Sequence, residues 1–139
     1  MKTLKDYLTE QTLEGSAMFL PRASMPQINN IESFKKFLTN KGVTYKDYYA
    51  ASNSLTPLQS DFDQTKIDRM IAANTSNMYS PIIVARTSTG HRYILDGHHR
   101  YIALKQMNMT VPVIEVEIEA IDLLRTMYAF DNMLKTSTD

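Results

Sequence analysis

Residues 81–105, PIIVARTSTGHRYILDGHHRYIALK, carry the reading of the whole chain. Ile82 to Ala85 form a short apolar run, Gly90 sits in a Ser/Thr-rich break, Tyr93, Ile94 and Leu95 form a second run, and Asp96-Gly97 ends it. Apolar runs bounded in this way by turn residues predict strand, turn, strand and a second tight turn. From His98 the pattern becomes helix-compatible, with Ile102 and Ala103 one turn before Met107 and Asn108 available to end the helix. His98, His99 and Arg100 therefore fall in the first turn of that helix.

A helix start exposes backbone N–H groups without intrahelical partners, at the positive end of the peptide dipole, and so favours an anion. Two imidazoles and a guanidinium add donors there, and an arginine can grip two phosphate oxygens at once. Gly97 has no Cβ, so ligand atoms can approach its backbone. The plainer alternative is an Asp-Gly turn capping an ordinary helix with exposed histidines. A metal site made by Asp96 with His91, His98 and His99 is disfavoured, because adjacent His98 and His99 point in different directions on a helix. Arg86, Arg92, Arg100 and Lys105 crowd this stretch against one acid, Asp96, and such local positive charge suits a phosphate better than a metal cation.

Upstream, Asp61 or Asp63 can cap a helix over residues 64 to 74 that carries Ile67, Met70 and Ile71, with Leu55 to Gln59 as an extended connection before it. Tyr48 to Ala51 reads as a strand, although Thr44 and Asp47 also fit a helix opening. Asn29 and Glu32 mark the start of another helix, whose apolar stripe is Ile31, Phe34, Phe37 and Leu38 and whose end is Gly42. Residues 3 to 13 read as a short amphipathic helix. Residues 16 to 28 read as an apolar arm lying across the domain and fixing Arg22 and Gln27. Downstream, residues 110 to 118 form a strand that alternates from Ile114 with its acids on the outer face, and Ile121, Leu124, Met127 and Tyr128 mark a helix to about Leu134.

The chain has 139 residues, enough for one domain with a real core. Fifteen basic and fifteen acidic residues cancel, so net charge draws the protein neither to nucleic acid nor to an acidic membrane. The absence of cysteine excludes disulfides, thiolate metal sites and thiol nucleophiles. No run approaches membrane-spanning length and the first residues lack a secretion signal, so the expectation is a soluble cytoplasmic protein without a membrane partner.

The order of elements and the sequence DGHHRYIA resemble the α+β fold shared by ParB-type partition proteins and sulfiredoxin, a small mixed sheet with flanking helices. That family has a glycine-led motif ending in arginine at this strand-to-helix corner: Gly-Glu-Arg-Arg in ParB, Gly-Cys-His-Arg in sulfiredoxin, Asp-Gly-His-Thr-Arg in free serine kinases. Asp96, Gly97, His98, His99 and Arg100 match the kinase form at four of five positions. Lys66-Ile67 resembles the Lys-Val opening the preceding sulfiredoxin helix, and Thr110-Val111-Pro112 its Thr-Ile-Pro. The resemblance covers residues 55 to 118 and implies a core over 55–139, with residues 1–54 as an N-terminal helical extension and arm packed on it.

The departures are informative. Sulfiredoxin's reactive cysteine falls at His98, which excludes reductase chemistry, and His98 and His99 replace the glutamate and first arginine of ParB. Only one helix is expected after the last strand, which leaves no room within residues 119–139 for the helix-turn-helix region of ParB.

The resemblance implies a nucleotide-phosphate enzyme, a small-molecule kinase or NTPase, using ATP or another nucleotide with magnesium. Phosphates would be bound by Gly97, His98, His99, Arg100 and Lys66, with Asp96, His98 and His99 catalytic. Asp96 would position a magnesium ion or a substrate hydroxyl, with no metal site made by the protein alone. Arg22, Gln27, Gln59 and Glu32 are the expected contacts to an unidentified acceptor. The alternatives are a ParB-like nuclease acting on nucleic acid and a non-enzymatic module gated by nucleotide.

Overall fold

The computed structural model describes residues 28, 30–59 and 62–137, with side chains through residue 133. The helix expected over 3 to 13, most of the apolar arm with Arg22 and Gln27, and Asp61 lie outside the described residues.

Five strands form one mixed sheet: β1 (Tyr45–Ala50), β2 (Thr56–Pro57), β3 (Ile82–Arg86), β4 (Arg92–Asp96) and β5 (Val111–Val116), in the order β1-β5-β3-β4-β2. β1 is antiparallel to β5 and β3 to β4, whereas β3 runs parallel to β5 and β2 parallel to β4. Among the described residues four α-helices flank the sheet: α1 (Ile31–Asn40), α2 (Gln64–Ala73), α3 (His98–Gln106) and α4 (Ala120–Ser137).

The unbroken apolar run of β3 is explained by burial on both faces. Ile83 and Ala85 enter a core with Phe34 and Leu38 of α1 and Leu123, Leu124, Met127 and Phe130 of α4. Ile82 and Val84 point the other way, to a core with Ile67 of α2 and Tyr101, Ala103 and Leu104 of α3. Each of these large side chains that is fully buried contributes on the order of 1.5–3 kcal/mol. The α1 stripe fits this assignment, since Phe34 meets Phe130 edge-on at 5.3 Å.

Three expectations are refined. The cap of α1 is Asn30, whose side chain accepts from the Ser33 N–H at 3.0 Å, rather than Asn29. β1 begins earlier than the strand read from sequence, at Tyr45, and with α1 it joins the sheet and its core, although both precede residue 55. Glu115 of β5 and Glu117 just beyond it lie on one side, where Lys46 reaches both, but that side is not an outer face at Glu115. Glu117 is exposed, but Glu115 is fully buried, because Tyr48 donates to it at 2.6 Å and Arg92 Nε at 2.8 Å, with Lys46 and Arg86 at 3.5 and 3.8 Å.

That cluster also revises the charge reading of the central stretch. Arg86 and Arg92 are paired across the hairpin at the end of β4 remote from Gly97, so they give no positive potential to the start of α3. Among the described residues no helix is long and apolar enough to cross a membrane.

Candidate functional site

The tight turn after β4 is set by Gly97, which sits at φ 93° directly before α3. A Cβ there would come within 2.5 Å of the Ile82 side chain and 2.7 Å of Arg100 Nη2, so both the backbone conformation and the packing select glycine. The register of β3 on β4 shifts between Ile83 and Val84, so that Leu95 is the extra residue and Asp96 pairs with Ile83. The first helical bond of α3 runs from Tyr101 N–H to the Gly97 carbonyl at 2.9 Å. The N–H groups of His98, His99 and Arg100 therefore have no intrahelical acceptor.

Beside this helix start lies a cavity of about 60 Å³ lined by Asp96, Gly97, His98, His99 and Arg100, with Gln59 from the β2 side and Lys66 and Met70 from α2. At about 10–15 Å³ for one water-sized group, it has room for a phosphoryl group but not for a whole nucleotide. Lys66 reaches it because Asp63 caps α2, accepting from the Lys66 N–H at 3.2 Å and fixing where the helix begins. Met70 was not foreseen as a lining residue, although its position one turn after Lys66 puts both on one helix face.

Arg100 bends back beneath Gly97. Its Nη2 donates to the Pro81 carbonyl at 3.1 Å, while its Nε is buried with no hydrogen-bond partner. Asp96 is buried, and its Oδ2 accepts from the Ile28 N–H at 3.2 Å. Burial pushes its carboxyl above the ordinary carboxylate range, against the opposing pull of Arg100 and the N–H groups of Ile28 and Gly97.

The two histidines take a different part from the donors expected of them. His98 Nε2 accepts from the N–H groups of both Leu58 and Gln59 at 3.1 Å, and its other nitrogen is bonded to the Ile94 backbone. Burial, then the charges of His99 and Arg100, lower its pKa to about 3, so the ring is neutral. His99 Nε2 accepts from the Asp63 N–H at 3.1 Å. The face of Phe62 stands 6.3 Å from each imidazole. These rings tie the start of α3 to the segment that supplies Gln59 and to the cap of α2.

Among the expected acceptor contacts, Gln59 is brought to the cavity and Glu32 is not. The Glu32 side chain is 81% exposed, with Lys35 at 3.9 Å as its neighbour. Arg22 and Gln27 fall outside the described residues. Among the described residues no cluster of three or more His, Cys, Asp or Glu side chains is arranged to hold a metal ion.

No protein-family model matches the sequence, and no curated protein does. Solved structures do resemble it. A C-terminally truncated chromosome-partitioning protein ParB from Caulobacter crescentus, in complex with CTP-γ-S, has a TM-score of 0.49 and 18% identity, covering 62% of this chain and 52% of that one. A variant of a free serine kinase in complex with AMP has a TM-score of 0.41 and 17% identity, covering 72% of this chain and 36% of that one. The chain thus spans about half the length of the first and about a third of the second. Among its described residues this protein is an α+β chain built on a five-stranded mixed sheet flanked by α-helices.

Proposed function

We propose that the cavity at the start of α3 receives the terminal phosphate of a nucleotide and that the protein is a phosphotransferase or NTPase. The observation that carries the reading is a cavity of phosphoryl size lined by Arg100 and Lys66 at a helix start whose N–H groups lack intrahelical acceptors, with the Nε of Arg100 buried and unpartnered. An unmet buried donor is costly, on the order of 1–3 kcal/mol, and a phosphate oxygen would satisfy it. Lys66 adds charge from the opposite wall. Phosphoryl transfer needs chiefly positioning and charge stabilisation, which this wall of donors can supply.

Asp96 is the group suited to take a proton, since burial raises its affinity for one. In the transfer, the acceptor's hydroxyl oxygen bonds to the terminal phosphorus, the bond from that phosphorus to the leaving nucleoside diphosphate breaks, and the hydroxyl proton passes to Asp96. With water as acceptor the same step is hydrolysis. Magnesium fits as an ion carried mainly by the phosphates, with Asp96 as the one carboxylate beside it. His98 and His99 act as positioning residues, holding Gln59 and the cap of α2 against the helix start. A nucleic-acid substrate has less support, because Arg86 and Arg92 are engaged by Glu115 rather than offered to a backbone.

The test is calorimetric titration of the full chain with ATP and CTP, with and without magnesium, for the wild type and Arg100→Ala. The expected result is saturable binding that weakens at least about tenfold in the variant, the loss of one or two charge-assisted bonds. Circular dichroism should show the fold retained. Equal nucleotide affinity in the two proteins would overturn the reading, and turnover of the bound nucleotide separates an enzyme from a gated binding module.

A further inference from the structure

The outward face of α3 borders a second and larger recess, a groove of about 790 Å³ between this helix and the segment Asn53–Pro57. Leu55, Pro57 and Ile102 give it an apolar floor, and the rings of Tyr101 and Phe62 add flat apolar surface. Phe62 also stands 6.3 Å from the rings of His98 and His99, which line the phosphate cavity, so one ring borders both the groove and the residues of that cavity. The rim is polar. Lys105 and the carboxamides of Asn53, Gln106 and Asn108 converge on the groove, and no hydrogen bond or ion pair engages these side chains. The Lys105 ammonium has only the Tyr101 ring beneath it, at 5.7 Å.

An apolar floor with a few convergent polar groups is the usual composition of a small-molecule site. The positive charge of Lys105 is not neutralised by any carboxylate of the described residues and selects an anion. Its place along the helix selects a length. Lys105 follows His98 by seven residues, which is about 10 Å along the axis. Tyr101 and Lys105, one turn apart, share the face that leads back toward the phosphate cavity.

We propose that this groove binds an aromatic small molecule bearing a carboxylate, with the carboxylate on Lys105, the ring against Ile102 and Phe62, and a hydroxyl directed toward the Gly97 corner. Such a molecule is the phosphoryl acceptor. That role rests on the phosphate reading above, whereas binding in the groove does not.

The probe is 3-(4-hydroxyphenyl)propionate, with the neutral 3-(4-hydroxyphenyl)propionamide as control, each titrated by NMR into the full chain. The expected result is saturable binding of the acid, weaker by about two- to fivefold for the amide and for Lys105→Gln, as one exposed ion pair implies. Ile102→Glu, which puts a negative charge on the floor, should abolish it. Arg100→Ala should leave it unchanged. No saturable binding of the acid, equal binding of acid and amide, or undiminished binding to Lys105→Gln would each overturn the proposal. So would a loss in Arg100→Ala as large as in Lys105→Gln, since the carboxylate would then sit in the phosphate cavity. Failure of the phosphate reading registers separately, as unchanged nucleotide affinity in Arg100→Ala.

Discussion

The two ends of β4 each set an arginine beside a buried carboxylate, and they use the pair in opposite ways. At one end Arg92 meets Glu115, which also takes a hydrogen bond from Tyr48 and has Lys46 and Arg86 within 4 Å. Burial alone would raise the Glu115 carboxyl, but these partners outweigh it and hold the carboxyl below its ordinary range. Burial of Tyr48, followed by its hydrogen bond to the same carboxylate, pushes the Tyr48 hydroxyl up to about 12. At the other end Asp96 has one arginine and two main-chain N–H groups, its carboxyl is raised rather than lowered, and a cavity opens beside it. The first cluster ties four strands together, and although Glu115 Oε2 has no hydrogen bond, Lys46 and Arg86 face it at 3.5 and 3.8 Å. Each end holds one buried atom without a hydrogen bond, Glu115 Oε2 and Arg100 Nε, but only the second has room for a ligand and a carboxyl raised by burial, and that difference, rather than the residue types, distinguishes a structural ion cluster from a candidate site.

Substitutions at the two ends should therefore separate stability from binding. The largest effect is expected for Gly97→Ala. Its Cβ would overlap Ile82 and Arg100, and its φ of 93° is unfavourable to any side chain, so urea denaturation should show a loss of roughly 2–5 kcal/mol together with loss of nucleotide binding. A fully stable variant would mean that the turn is not tightly packed. Glu115→Ala should cost roughly 2–3 kcal/mol in the same measurement, less than for a wholly buried pair because its cationic partners can turn to water. Nucleotide affinity should not change, and a parallel loss of affinity would erase the contrast between the two ends.

The smallest effect is a pH dependence from His98. Its pKa is 6.5 in the unfolded chain and about 3 in the fold, so the unfolded state binds the proton more readily. Stability from the neutral ring is complete above pH 6.5 and declines as pH falls from there toward 3. At pH 5 the deficit should be roughly 2 kcal/mol relative to neutral pH, and His98→Gln should lack most of it. Identical pH profiles for the two proteins would show that His98 is not the neutral anchor of Leu58 and Gln59.

Much of the fold was legible because it depends on local pattern. The apolar runs of β3 and β4, the glycine after Asp96 and the spacing of Phe34 and Leu38 each encode an element through its period or its breaker. The Asp63 cap was within reach for the same reason. Glu115 was misread because alternation reports which side of a strand a residue faces, not whether that side is covered. Neither could the sequence show that Arg92 and Lys46, 46 residues apart, would meet over it.

At the candidate site, the chain's own residue order determined that a glycine, two histidines and an arginine open one helix, since neighbours in sequence remain neighbours there. Only the tertiary structure decided what those side chains face. His98 turns to main-chain N–H groups some forty residues earlier in the chain, Arg100 to the Pro81 carbonyl, and Lys66 arrives from a separate helix. Side-chain direction is set by partners distant in sequence, and burial is set by the elements that pack on top. Neither quantity is local, and for that reason the cavity and its unmet donor emerge only when the sheet and its helices come together.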